Sequence, residues 1–119
     1  MNVVLVIEDN AEIREVLEEM IRADGAMVES AGDGAQGWAR VRREPFPCLI
    51  LLDLKMPVMD GVEFLKLRNA DAEIARIPVI MLTGSVELEG RERELNFQGF
   101  VKKPFDPDAL SRLVRQYCD

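Results

Sequence analysis

Short runs of apolar residues recur along the chain without polar alternation, a pattern typical of strands buried on both faces of a sheet. The clearest run, residues 49–52, ends abruptly at Asp53 and passes into a turn that contains Pro57 and Gly61. A second run, residues 3–7, is followed directly by Glu8, Asp9 and Asn10. Shorter apolar runs predict three more strands, at residues 26–31, 78–82 and 99–102.

The segments between these strands carry apolar residues at helical spacing. Asn10, Asp33 and Asp106 are placed to cap the first, second and fifth helices. The second helix is predicted to run to about Arg43, although two glycines weaken it. A third helix follows the turn after the central strand. The charged segment 85–96 predicts a short, mobile fourth helix.

Strands that alternate with helices at this spacing predict an α/β fold with five βα units. The expected architecture is a doubly wound parallel sheet in a three-layer sandwich, with the flavodoxin-like strand order 2-1-3-4-5. Residues 1–119 then form one domain. This order makes the first and third strands neighbours, so Glu8, Asp9 and Asp53 should meet at one edge of the sheet.

Composition narrows the functional classes. The formal net charge of -7, with no block of Lys and Arg, disfavours direct binding of nucleic acid. No apolar run approaches the roughly 20 residues of a membrane span. Met1 is followed almost at once by a strand, which leaves no room for a secretory signal and predicts a cytoplasmic protein.

Cys48 and Cys118 are expected to be two unpaired thiols. Histidine is absent, so any histidine chemistry needs a partner protein.

Polar residues at the ends of the strands predict phosphoryl chemistry. Adjacent strands lie about 4.8 Å apart, so three carboxylates at neighbouring strand ends would repel one another without a cation. Such an all-oxygen site suits Mg²⁺. An aspartate beside it, Asp53, can attack phosphorus and form an aspartyl phosphate. Thr83 and Lys103, at the ends of the fourth and fifth strands, could then hold phosphoryl oxygens.

These residues lie in four segments that together resemble the receiver domain of two-component response regulators, the superfamily of the chemotaxis regulators. The segments are Glu8-Asp9-Asn10, LILLDLKMPVMDG around Asp53, IPVIMLTG with Thr83, and FVKKPF with Lys103. The resemblance covers nearly the whole chain. It implies that Asp53 accepts phosphate from a histidine kinase, a histidine phosphotransfer protein or a small phosphodonor. It also implies self-catalysed phosphorylation and slow autodephosphorylation, without the turnover of a conventional enzyme.

The same resemblance implies roles for individual residues. Asp9, Asp53 and the backbone carbonyl of Lys55 would bind Mg²⁺, or Mn²⁺ in its place, and Glu8 would act through water. Lys103 would precede a cis Pro104. Phosphorylation would draw in the hydroxyl of Thr83 and rotate Phe100, and so remodel the face formed by helix 4, strand 5 and helix 5. Lys55 and Ser85 stand where the family tunes dephosphorylation.

Other readings of the sequence remain open. The chain departs from the family pattern at Gly84 and at Asn96-Phe97, and its interval from Thr83 to Lys103 is about two residues short. The main alternative is a degenerate receiver that acts as a phosphorylation-independent interaction module. A haloacid-dehalogenase-type phosphatase would need a second acid at Lys55.

The arginines of the last helix, Arg112 and Arg115, offer a surface for a partner or for a phosphorylation-dependent homodimer. The resemblance also implies a downstream partner protein.

Overall fold

The computed structural model describes residues 3–83 and 88–118, in which parallel strands and helices alternate. The elements are β1 Val3–Ile7, α1 Ala11–Ala23, β2 Met27–Ala31, α2 Gly34–Val41, β3 Leu49–Asp53, α3 Gly61–Asn69, β4 Val79–Thr83, α4 Glu92–Leu95, β5 Gly99–Lys102 and α5 Pro107–Cys118. A 3₁₀ helix, Ile74–Arg76, precedes β4. No helix in these two ranges is both long and apolar enough to cross a membrane.

The five strands form one parallel sheet in the order β2-β1-β3-β4-β5, which confirms the predicted fold. Successive side chains of each strand point to opposite faces, and both faces are covered. Ile7 and Leu52 pack with residues of α2 and α3 in one buried cluster. Val6 and Leu51 pack with residues of α1 and α5 in the other. The unbroken apolar runs in the sequence reflect this coverage on both sides.

The predicted helix starts are confirmed by their capping bonds. Side-chain oxygens of Asn10 and Asp33 accept the backbone N–H three residues on, at 3.1 and 2.8 Å, and Asp106 accepts from Asp108 at 3.0 Å. The second helix ends at Val41, earlier than predicted. The fourth helix is only four residues long, and residues 85–87 of the segment predicted to form it lie outside the described residues.

Two glycines that should weaken α2 instead allow it to pack closely. A Cβ at Gly34 would lie 2.4 Å from the backbone oxygen of Met59, in the loop after β3. At Gly37 it would lie 2.4 Å from the Cδ1 atom of Ile7 on β1. The loss of helix propensity at these positions is offset by contacts that no larger residue permits.

The prediction of two unpaired thiols was wrong. Cys48 and Cys118 form a disulfide with an S–S distance of 2.04 Å and a Cα–Cα distance of 5.3 Å. The two cysteines are 70 residues apart in sequence. They meet because α5 runs back across the sheet and ends over the beginning of β3. Nothing in the local sequence around either cysteine signals this pairing.

An ion pair between Arg40 on α2 and Glu29 on β2 predicts a dependence of stability on pH. The guanidinium donates to the carboxylate at 2.7 and 3.1 Å, and these bonds lower the pKa of Glu29 below its usual value. A depressed pKa in the folded state stabilises the fold above the unfolded-state pKa, and this contribution disappears as the pH falls through the folded-state pKa. The Arg40 side chain is buried, whereas that of Glu29 is 46% exposed.

We therefore expect Glu29→Gln to lower the free energy of unfolding at neutral pH, by less than about 1 kcal/mol because solvent screens the carboxylate. The difference between wild type and variant should shrink as the pH falls below the ordinary pKa of a glutamate and through the lowered folded-state pKa of Glu29. Urea unfolding of both proteins at neutral pH and over a series of acidic pH values measures it. A difference that stays constant with pH would contradict an electrostatic origin.

Candidate functional site

The register of the sheet brings three carboxylates to one edge. Ile7 at the end of β1 pairs with Leu52 on β3, so the next residues, Glu8 and Asp53, follow at the same level. Asp9 comes directly after. One carboxylate oxygen from each of these acids lies within 4.8 Å of the others. The structure thus brings together the acidic cluster that the strand ends predict.

Asp53 is held in a fixed position at the bottom of this cluster. Its side chain is almost fully buried, and its Oδ1 atom accepts a hydrogen bond from the backbone N–H of Leu54 at 2.9 Å. The turn that follows folds back on the strand, since the N–H of Gly61 donates to the carbonyl of Leu54 at 2.8 Å. A Cβ at Gly61 would lie 2.5 Å from the carbonyl oxygen of Asp53. The loop between β3 and α3 therefore closes only around a glycine.

Glu8 is the most buried of the three acids, with no exposed surface. Its Oε1 atom accepts from Lys103, but in the described part of the chain no group hydrogen-bonds to the buried Oε2 atom. Burial and then the neighbouring Asp53 raise the pKa of Glu8 to about 7, although Lys103 acts in the opposite direction. Removal from water disfavours the charged carboxylate, and a second negative charge nearby disfavours it further.

This arrangement fits a divalent cation. A buried carboxylate oxygen without a donor, beside two further carboxylates, is costly unless a positive charge compensates it. Asp9 is exposed, so the cluster opens to solvent on one side. Carboxylate oxygens are hard ligands, and an open site that keeps several waters suits Mg²⁺.

Lys103 completes the site from the fifth strand. Its Nζ atom lies 3.2 Å from Oε1 of Glu8 and 3.6 Å from Oδ1 of Asp53. The side chain remains 31% exposed, so Lys103 keeps contact with solvent while its ammonium pairs with the cluster. The peptide bond between Lys103 and Pro104 is cis, the geometry that the resemblance implies.

The structure describes only part of the remaining predicted site residues, Thr83, Ser85 and Lys55. Thr83 ends β4 and pairs with Lys102, one step beyond the pairing of Asp53 with Leu82, but its side chain is not among those described. Ser85 also lies outside the described residues. Lys55 is exposed in the turn after β3.

Phe100, the predicted switch residue, is half-buried on β5. Its ring meets that of Phe97 edge to face, with centroids 5.1 Å apart and planes at 79°. Phe97 is nearly fully buried in the cluster formed with α2 and α3. The larger residue at position 97 therefore gives Phe100 an aromatic partner in the core.

Two structural arginines, Arg14 beside the site and Arg68 at the opposite edge of the sheet, have no clear signal in the sequence. Arg14 on α1 donates to the carbonyl of Glu8 at 2.8 Å. Arg68 on α3 is fully buried, and burial lowers its pKa to about 10. It donates to the carbonyl of Ile77 at 2.8 and 3.1 Å and also to that of Asn96, so it ties α3 to the entries of β4 and β5. Only the tertiary fold reveals these bonds to distant carbonyls.

The chain resembles known proteins in both sequence and structure. The model of the family described as "Response regulator receiver domain" matches residues 4–115. The chain is 32% identical to the sporulation initiation phosphotransferase F of Bacillus subtilis, covering 96% of this chain and 91% of that protein. Its structure resembles the chemotaxis protein CheY4 of Vibrio cholerae, with a TM-score of 0.87, 30% identity and 98% of both chains covered.

A further structural neighbour is the receiver domain of the sensor histidine kinase PA1611 from Pseudomonas aeruginosa. That structure has a TM-score of 0.86 and 28% identity, and it covers 98% of this chain and 96% of the other. It is described with a magnesium ion coordinated in its active-site cleft.

Proposed function

This chain belongs to the family of response regulator receiver domains, and on that premise we propose that Asp53 accepts a phosphoryl group from a phosphohistidine of a partner protein. The observation that carries the proposal is the convergence of Glu8, Asp9 and Lys103 on the buried carboxylate of Asp53. The chain has no histidine of its own, so the donor histidine must come from a histidine kinase or a phosphotransfer protein.

The geometry supports direct attack by Asp53. Its Oδ1 atom is engaged by Leu54 and faces Lys103, so we assign Oδ2 as the nucleophile. The bond from Oδ2 to phosphorus forms as the bond from phosphorus to the donor imidazole nitrogen breaks, and the imidazole keeps the electron pair and takes up a proton from solvent. Lys103 can turn from the carboxylates to a phosphoryl oxygen and offset the negative charge on the phosphoryl group. The hydroxyl of Thr83 would hold another oxygen.

The acidic cluster would hold Mg²⁺ through Asp9, Asp53 and the carbonyl of Lys55, with Glu8 acting through water. When bound, the cation neutralises charge on the phosphoryl oxygens. The buried Oε2 atom of Glu8 supports this assignment, because it lies beside Asp53 without a donor among the described residues. The related receiver domain of PA1611, with its magnesium ion, supports it by similarity. Mn²⁺ should substitute.

The test uses acetyl phosphate, which needs no partner protein. Wild type should gain the mass of one phosphoryl group in the presence of Mg²⁺ and lose this labelling when the metal is chelated. Asp53→Asn should show no labelling, because an amide is not a nucleophile toward phosphorus. Intact-protein mass spectrometry measures the gain.

The matched control is Asp60→Asn, in the same loop. Asp60 caps α3 by accepting from the N–H of Glu63 at 2.9 Å, and asparagine can make the same bond. This variant should be labelled like wild type. Labelling of Asp53→Asn at the wild-type extent would refute Asp53 as acceptor. No labelling of any of the three proteins would favour the alternative, an interaction module that does not use phosphate.

We further propose that phosphorylation switches the face formed by α4, β5 and α5 through Thr83 and Phe100. Rotation of Phe100 would have to break its edge contact with Phe97. A structure with beryllofluoride as phosphate mimic is expected to show Phe100 in a new rotamer, away from that ring. If Phe100 keeps its contact with Phe97 in that structure, the switch proposal fails.

We also propose roles for residues that tune dephosphorylation and for a partner surface on α5. Lys55 and Ser85 would tune how water reaches the phosphoryl group and thus the lifetime of the aspartyl phosphate. Arg112 and Arg115 would contribute to a surface for a downstream protein or for a phosphorylation-dependent homodimer. The cytoplasmic location and the single-domain boundary, residues 1–119, remain predictions from the sequence.

A further inference from the structure

The disulfide lies at the end of the sheet opposite the acidic cluster. Cys48 immediately precedes β3, whose other end carries Asp53, and Cys118 is the last residue of α5. The phosphoryl chemistry proposed above uses neither cysteine. They are the only two cysteines in the chain, so no other pairing within it competes with this one.

The last turn of α5 contacts the core mainly through Tyr117 and Cys118. Arg115 and Gln116 are exposed and Tyr117 is half-buried, whereas Cys118 is only 5% exposed. Arg115 makes an ion pair with Asp24 at 3.7 Å, but its side chain is 67% exposed, and pairs of this kind stabilise little. Tyr117 also packs against the core cluster that includes residues of α1 and α5, and the bond to Cys48 adds a covalent restraint on this turn.

The surroundings accommodate the reduced pair as well. The sulfur of Cys48 lies 3.3 Å from the carbonyl oxygen of Val3, which a thiol S–H can use as its acceptor. Leu110 and Val114 anchor the preceding turns of α5 against the core whether or not the disulfide is present. Cys48 is only partly buried, which leaves an approach for an exchanging thiol.

We propose that Cys48 and Cys118 form a reversible redox modification site that clamps the last turn of α5 to the beginning of β3. Protein disulfides in reducing compartments are usually transient and redox-sensing, and both states of this pair fit the fold. The proposal does not rest on phosphorylation of Asp53.

The exchange partner is a disulfide oxidant of the glutathione class. The thiolate of Cys48 attacks one sulfur of oxidised glutathione and releases one glutathione thiolate, which leaves a mixed disulfide. The thiolate of Cys118 then attacks the Cys48 sulfur and releases the second. The protein loses two electrons and two protons, and the oxidant is reduced to two thiols.

The test equilibrates the full chain in glutathione buffers that run from fully reduced to fully oxidised. Free thiols are trapped by alkylation and counted by mass, and hydrogen exchange is measured across residues 115–118. We expect the count to pass from two alkylated cysteines to none within the series. Amide exchange in the last turn should be at least about tenfold faster in the reduced protein, with no change in β3 near Asp53.

Cys118→Ser is the matched variant, because it cannot form the disulfide. The amide hydrogens of residues 115–118 in this variant should exchange as fast as those of the reduced wild type in every buffer. Two free thiols in all buffers would refute the disulfide, and a disulfide that survives the reducing buffers would show a permanent structural bond. Equal amide hydrogen-exchange rates of residues 115–118 in both redox states would refute the clamp. Asp53→Asn should give the wild-type redox titration, so failure of the phosphoacceptor proposal can be distinguished from failure of this one.

Discussion

Lys103→Met is expected to slow labelling of Asp53 by acetyl phosphate by about 100-fold, the typical cost of removing one group that stabilises developing charge. The ammonium lies 3.6 Å from Oδ1 of Asp53 and so can reach an oxygen of the incoming phosphoryl group. Methionine keeps much of the length and apolar character of the lysine stem but carries no charge. The initial labelling rate, followed by intact-protein mass spectrometry, measures the effect.

The adjacent lysine provides the control for this variant. Lys102 is 71% exposed and pairs with Glu89 at 3.5 Å, away from the acidic cluster. Lys102→Met should therefore label at nearly the wild-type rate. Equal rates for wild type and Lys103→Met would contradict the role of Lys103, whereas equal slowing of both variants would point to a loss of general positive charge.

Gly61→Ala is expected to lower the free energy of unfolding by about 1–3 kcal/mol, the usual range for overpacking a closed site. The new Cβ would lie 2.5 Å from the carbonyl oxygen of Asp53 and 3.0 Å from the Cα atom of Leu54. Both are backbone atoms, which cannot move aside as a flexible side chain can. Helix propensity alone predicts the opposite sign, because Gly61 is the first residue of α3.

Urea unfolding measures this change as a lower midpoint at an unchanged slope. Gly32→Ala is the control, since a Cβ there meets its nearest atoms, on Arg14 and Gln36, at an ordinary 3.6 Å. Gly61→Ala should also label more slowly with acetyl phosphate, because relief of the collision displaces Asp53. A variant as stable as wild type and labelled as fast would show that the loop between β3 and α3 has more room than the structure indicates.

The positions of the strands and the order of the sheet followed from local pattern. Unbroken apolar runs such as residues 49–52 are typical of parallel strands covered on both faces, and polar residues directly after them mark the carboxyl edge. Asn10, Asp33 and Asp106 could be assigned as caps because the capping bond spans only two or three residues. The end of α2 was less predictable, since Arg40 on that helix instead donates to the carbonyls of Arg43 and Pro45 beyond it.

The candidate site was predictable in its membership but not in its energetics. Glu8, Asp9, Asp53 and Lys103 could be named because each ends a strand or lies within two residues after one. The full burial of Glu8 and its raised pKa depend on neighbours from other parts of the chain. The same holds for the buried Arg68, whose acceptors lie 9 and 28 residues away in sequence.

By itself, the sequence determined a parallel α/β sheet with acids gathered at one edge, because hydrophobic periodicity and strand direction are local properties of the chain. Tertiary structure alone decided which groups lose contact with water and which distant residues touch. The disulfide between Cys48 and Cys118 and the close approach of Gly37 to Ile7 belong to this second kind. They depend on how α5 and α2 pack against the sheet, which side-chain volume and long-range contact determine.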